Sequence, residues 1–72
     1  GIYKGWVSID NNLGNIRSLL FDMGCVREEK VSSNGTMFAN IKIGNDELEQ
    51  FINLNGFELC GDEDILFKAI KT

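Results

Sequence analysis

The sequence predicts an α+β sandwich whose elements follow the order β-α-β-β-α-β. Three observations predict it. Apolar residues recur at every second position in two stretches, 3–9 and 36–43, and at helical spacing in two others, 13–23 and 48–54. An Asn-Gly pair at 34–35 stands between the second and third strands, where a hairpin needs its turn. The 72 residues suffice for one domain, 1–72, with one sheet and one layer of helices over it.

The first strand reads from Tyr3 to Ile9. Tyr3, Val7 and Ile9 share one side of it with Gly5 between them, and Lys4, Trp6 and Ser8 share the other. Asp10-Asn11-Asn12 then breaks the strand, since short polar side chains bond nearby backbone N–H groups and favour helix N-caps. Leu13, Ile16, Leu19, Leu20 and Met23 follow three and four apart and predict a helix over 12–23 that buries that stripe. Gly24 suits a left-handed C-cap. Residues 26–33 are polar and weakly alternating, as in an edge strand whose charges discourage further pairing. Asn34-Gly35 predicts a tight type I′ turn.

In the third strand, from Thr36, Met37, Ala39, Ile41 and Ile43 form the apolar side, and Thr36, Phe38, Asn40 and Lys42 the other. Asn45-Asp46-Glu47 opens a second helix with carboxylates where its dipole favours them. Leu48, Phe51, Ile52 and Leu54 are its expected buried side, and Asn55-Gly56 ends it. In the tail, Phe57 to Cys60 reads as a short strand, Gly61 to Asp64 as a turn and 65–70 as the last full strand. A terminal helix capped by Asp62 is the alternative for that last segment.

Two helices on one face of a four-stranded antiparallel sheet give the split βαβ, or ferredoxin-like, arrangement. The expected strand order is fourth, first, third, second, with the first and third strands in the centre. Cys25 and Cys60 then lie toward opposite edges, too far apart for a disulfide, and read as reduced thiols.

Composition narrows the function classes. Eleven Asp and Glu face seven Lys and Arg, for a net charge of −4. Proteins that grip duplex DNA usually carry a basic stripe that displaces counterions from phosphates, so duplex binding is not expected. The chain has no histidine, the commonest general base and metal ligand, and Asp62-Glu63-Asp64 reads as a solvated turn. No catalytic role, metal or cofactor is expected. No apolar run reaches membrane-spanning length and no signal-peptide pattern opens the chain, so an intracellular protein, nuclear or cytoplasmic, with no membrane partner is expected.

The chain also resembles an RNA-recognition motif. In Asn34-Gly35-Thr36-Met37-Phe38-Ala39-Asn40-Ile41, the glycine and the second aromatic match that family's third-strand octapeptide, while its basic residue and first aromatic are missing. The run from Leu54-Asn55-Gly56 to Gly61 resembles the family's Leu-Asn-Gly…Gly segment before the last strand. Arg17 through Val26 resembles its first helix and the entry to its second strand. Ile2-Tyr3-Lys4-Gly5 resembles the start of its first-strand hexapeptide, which would turn Tyr3 to the sheet face that the helices leave open. The period-two pattern instead places Trp6 there, and a one-residue slip would drive Lys4 into the core at the cost of burying a charge.

The resemblance implies single-stranded RNA binding on that open face. Trp6 and Phe38 would stack bases, Lys4 and Lys42 would reach phosphates, and Thr36, Asn40 and, in the family's register, Tyr3 would complete the surface. Two stacking platforms contribute about 2–6 kcal/mol, a weak affinity without a neighbouring domain. The alternative is a protein-protein interaction module, an adaptor or inhibitor, using the same residues, since an exposed aromatic patch marks a contact surface without naming its ligand. A third reading is a small-molecule regulatory domain like the amino-acid-binding ACT domains, from the loose likeness of residues 10–14 to their ligand loop.

Overall fold

The computed structural model describes residues 1–62. The expectations for a strand or helix at 65–70, and for Glu63 and Asp64, lie outside the described residues. Strand β1 (Ile2–Ile9) leads through a 3-10 turn (Asn11–Leu13) into helix α1 (Gly14–Asp22). Strands β2 (Val26–Val31) and β3 (Met37–Gly44) form a hairpin. Helix α2 (Asn45–Ile52) follows, and strand β4 (Phe57–Gly61) returns to pair with β1. All pairings are antiparallel and the sheet order is β2-β3-β1-β4, so β1 and β3 lie side by side in the centre. The segment beside β1 is therefore 57–61, which the sequence marks only as a short strand.

The alternation read from β1 and β3 is the one the structure adopts. Val7 and Ile9 of β1, with Ala39, Ile41 and Ile43 of β3, face Leu20 of α1 and Leu48 and Phe51 of α2 in the main core. Phe57 of β4 joins them, its ring centroid 5.7 Å from that of Phe51. Both helices thus cover the same face. Fully burying one such large side chain stabilises the fold by roughly 1.5–3 kcal/mol. Leu19 and Ile52, expected in the core, are instead exposed. Each sits at the margin of its helix's apolar arc, beyond the reach of the sheet.

Local chemistry explains the element ends. Asp10 Oδ1 accepts the Asn12 N–H at 3.3 Å and starts the 3-10 turn. At the end of α1, Gly24 takes φ +72°, and the Gly24 and Cys25 N–H groups donate to the Phe21 and Leu20 carbonyls in a Schellman pattern. The hairpin differs from expectation. Only glycines have positive φ among the described residues, so Asn34 does not adopt the conformation a type I′ turn requires. Ser32 and Thr36 close a three-residue loop instead: Gly35 N–H donates to Ser32 O, Gly35 sits at φ +89°, and Asn34 Oδ1 accepts the Thr36 N–H at 3.1 Å. A type I turn followed by a left-handed glycine matches strand twist as well as a two-residue loop does.

The β1–β4 pairing carries a bulge. Trp6 faces Gly61 and Val7 faces Leu59, leaving Cys60 as the extra residue. The Tyr3 hydroxyl bridges this irregularity, donating to Trp6 O at 2.7 Å and accepting the Gly61 N–H at 3.2 Å. Gly5 permits the arrangement, because a Cβ there would lie 2.8 Å from Gly61 O and 3.0 Å from the Tyr3 hydroxyl.

Candidate functional site

Two surfaces carry residues that could contact a ligand. The first is the far face of the sheet, turned away from α1 and α2. Register lays out its side chains in rows: Lys4 of β1 lies opposite Lys42 of β3, and in the next row Glu28, Asn40, Trp6 and Gly61 run from β2 to β4. Lys30, Phe38, Ser8 and Glu58 form the row after that.

Trp6 and Phe38 stand together on this face as expected, but as a second small core and not as an exposed platform. They are only 2% and 5% exposed. Their neighbours among the described residues include Cys60, packed on them from β4, and the Lys30 ammonium, 5.2 Å from the Trp6 ring centroid. Alternation assigns a side chain to a face and is silent about what that face packs against. As placed, neither ring is exposed in the way that stacking on Trp6 and Phe38 requires. Tyr3 follows the period-two pattern and not the family's register: it packs against the main core, and its hydroxyl is engaged by Trp6 O and the Gly61 N–H. Lys4 is exposed on the far face, as the physical pattern requires.

Of the other expected residues, the structure gathers some and separates one. Lys4, Glu28, Asn40 and Asp62 line a cavity of about 390 Å³ beside Trp6, and Lys42 lies opposite Lys4 in the register but outside that lining. Thr36 lies six residues along from Lys42 at the hairpin end, in a separate hollow of about 190 Å³ shared with Ser8, Asp10 and Glu58. Cys25 is buried, its Sγ–H donating to Leu20 O at 3.2 Å, and Cys60 is half-buried. Burial pushes both thiols above their ordinary pKa, which disfavours a reactive thiolate.

The second surface is the flank where α1 meets the edge strand β2, which the sequence reading does not reach. Arg17 of α1 makes a two-pronged ion pair with Glu29 of β2, Nε donating to Oε2 and Nη2 to Oε1 at 2.8 Å. The guanidinium carbon also stands 4.7 Å from the centroid of the Phe21 ring, one helical turn along. Phe21 is 42% exposed, and Val31, two residues beyond Glu29 on the same side of β2, is 63% exposed. The guanidinium beside it holds the Glu29 carboxyl below its usual pKa. The Arg17 to Phe21 spacing of four was the one signal in the sequence, but the Glu29 partner comes from another element.

No helix among the described residues is long and apolar enough to cross a membrane. Compared with known proteins, the chain matches no protein-family model, no curated protein and no solved structure.

Proposed function

We propose that this chain is a non-catalytic interaction domain, a β-α-β-β-α-β sandwich of the ferredoxin-like kind, that binds another protein along the α1–β2 flank. The observation that carries the reading is the exposure of Phe21 and Val31 on either side of the Arg17–Glu29 pair. A single exposed apolar residue is ordinary, and Ile2 and Leu59 are such cases. Here the ring is held by a stacked guanidinium, which is itself held by a fork of hydrogen bonds. Aromatic and arginine side chains fixed in this way are the common anchors of protein interfaces, because little side-chain freedom is left to lose on binding.

The partner we infer is a protein that adds an extended segment along β2. That strand is at the sheet edge; its charges disfavour indiscriminate pairing and leave room for a segment of complementary charge, and strand addition joins main-chain hydrogen bonds to side-chain contacts on the flanking helix. With a net charge of −4, the domain favours encounter with a basic partner. The RNA reading loses its principal support with Trp6 and Phe38 buried.

The test begins with a photo-crosslinking residue at position 31 to capture the partner, followed by titration of that purified partner. Phe21→Ser and Val31→Lys should each weaken binding at least tenfold, while Asn40→Ala leaves it unchanged. The opposite pattern would overturn the reading. So would amide shifts on the far face at Asn40 and Lys42 with short single-stranded RNA at low salt, which would return the domain to the RNA-binding class.

A further inference from the structure

The backbone of β2 fixes which of its groups an added strand would meet. Among the described residues, β2 pairs with β3 on one side and is the last strand of the sheet on the other. At the hairpin end the Ser32 N–H donates to Thr36 O, which makes 32 and 36 a hydrogen-bonded pair. Bonded and non-bonded pairs alternate along an antiparallel ladder. Lys30–Phe38 and Glu28–Asn40 are therefore the bonded pairs, and Glu29 and Val31 turn their N–H and C=O groups toward the open edge. The same alternation sets the side chains. Glu29 and Val31, opposite Ala39 and Met37, share the helix-covered face, while Glu28 and Lys30, opposite Asn40 and Phe38, share the far face. The bulge at Arg27 ends this regular stretch.

A segment entering antiparallel would form its main-chain bonds opposite Val31 and Glu29, and its intervening side chains would lie beside Lys30 and Glu28. Each position has a chemical preference. Val31 is exposed and favours an apolar neighbour. Glu29 is already held by the Arg17 fork, so an uncharged polar residue opposite it leaves the ion pair undisturbed. The exposed Glu28 carboxylate stands 4.0 Å from the Lys30 ammonium, too far for a hydrogen bond, and favours a basic residue opposite. Lys30, beside the Trp6 ring, favours an acidic one. A second copy of the chain fits less well. Pairing β2 with itself about Glu29 sets Glu28 against Lys30 twice, but it brings two Glu29 carboxylates together.

On the reading of this flank as an interface, we propose that its partner supplies an antiparallel strand that reads, from its N-terminal end, apolar, acidic, uncharged polar, basic, with these residues opposite Val31, Lys30, Glu29 and Glu28.

The experiment titrates the full chain with short end-blocked peptides and follows backbone amide shifts. Within the same neutral flanks, the probes carry Val-Glu-Thr-Lys, the charge-exchanged Val-Lys-Thr-Glu, or the reversed Lys-Thr-Glu-Val, whose order would suit a parallel strand. The first should give saturable shifts at Glu29 and Val31 at millimolar concentrations. It should bind about tenfold more tightly than either of the others, as when two cross-strand charge pairs change sign. In the Glu28→Lys, Lys30→Glu double variant, the preference between the first two probes should invert. The proposal is overturned if the probes bind equally, if the reversed peptide binds best, or if none of them shifts Glu29 and Val31. It is also overturned if those amides shift with protein concentration alone, which would make a second copy the occupant. Failure of the peptides beside a captured partner that still loses affinity in Phe21→Ser and Val31→Lys would strike the strand's direction and charge order and leave the interface standing. A captured partner indifferent to those two substitutions would remove the interface itself.

Discussion

Tyr3→Phe removes one oxygen and tests how the sheet tolerates its own irregularity. The hydroxyl is the only side-chain group among the described residues seen to bridge the Cys60 bulge, through its 2.7 Å bond to Trp6 O and its 3.2 Å bond from the Gly61 N–H. A hydrogen bond of this kind contributes about 0.5–1.5 kcal/mol net. Two are lost, and the backbone groups left behind are partly reached by water because Tyr3 is only half-buried, so the expected cost is about 1–2 kcal/mol. In a domain of this size each kcal/mol lowers Tm by roughly 4–8 °C, which places the expected drop at about 5–15 °C. Thermal unfolding followed by circular dichroism measures it, and hydrogen exchange at the Gly61 amide locates it. A variant that melts with the parent and keeps that amide protected would show that the bridge contributes nothing and that the bulge is held by the ladder alone. The same group sets a pH dependence. Burial raises the Tyr3 pKa in the folded state above its ordinary value of 10.0. A folded pKa above the unfolded one means that this contribution is complete below the unfolded pKa and is lost as pH rises through the folded one, so alkaline destabilisation should shrink in Tyr3→Phe.

Three further outcomes follow from the packing and charges. Lys42→Glu converts the cross-strand repulsion with Lys4 into attraction and should stabilise the fold by about 0.2–1 kcal/mol in denaturant titration. Phe51→Ala empties the centre of the main core at a cost of about 3–5 kcal/mol, comparable to the whole stability of a small domain, and should leave the chain unfolded by amide-shift dispersion. Glu29 is held below its ordinary pKa chiefly by the hydrogen bonds from Arg17, so its contribution is present above the unfolded pKa and disappears as pH falls through the folded one. Acid titration of Glu29→Gln should therefore show a shallower loss of stability below pH ~4.5 than the parent shows.

Much of the architecture was legible before any coordinates. Alternation in 3–9 and 36–43 assigns Val7, Ile9, Ala39, Ile41 and Ile43 to one face and Lys4, Trp6, Asn40 and Lys42 to the other, and the structure keeps both assignments. Strand periodicity is a local property, expressed within each segment of backbone. Asp10 and Gly24 mark helix ends for the same reason, since a cap is satisfied by residues a few positions away. The turn at Asn34-Gly35 was legible as a hairpin but not by type, because Ser32 and Thr36 together decide how many residues it holds.

The candidate sites depended on contacts that no local pattern encodes. Whether Trp6 and Phe38 lie open or buried is decided by what packs across two central strands, and their near-complete burial turned an expected binding platform into a small core. The Arg17–Glu29 fork joins residues twelve apart through the helix layer and the edge strand, and the Lys4–Lys42 pair joins residues thirty-eight apart through the sheet alone. Amino-acid order thus determined which side chains share a face of each element. Tertiary packing decided which of those faces meet, because desolvation and charge pairing depend on neighbours brought together by folding and not on neighbours along the chain.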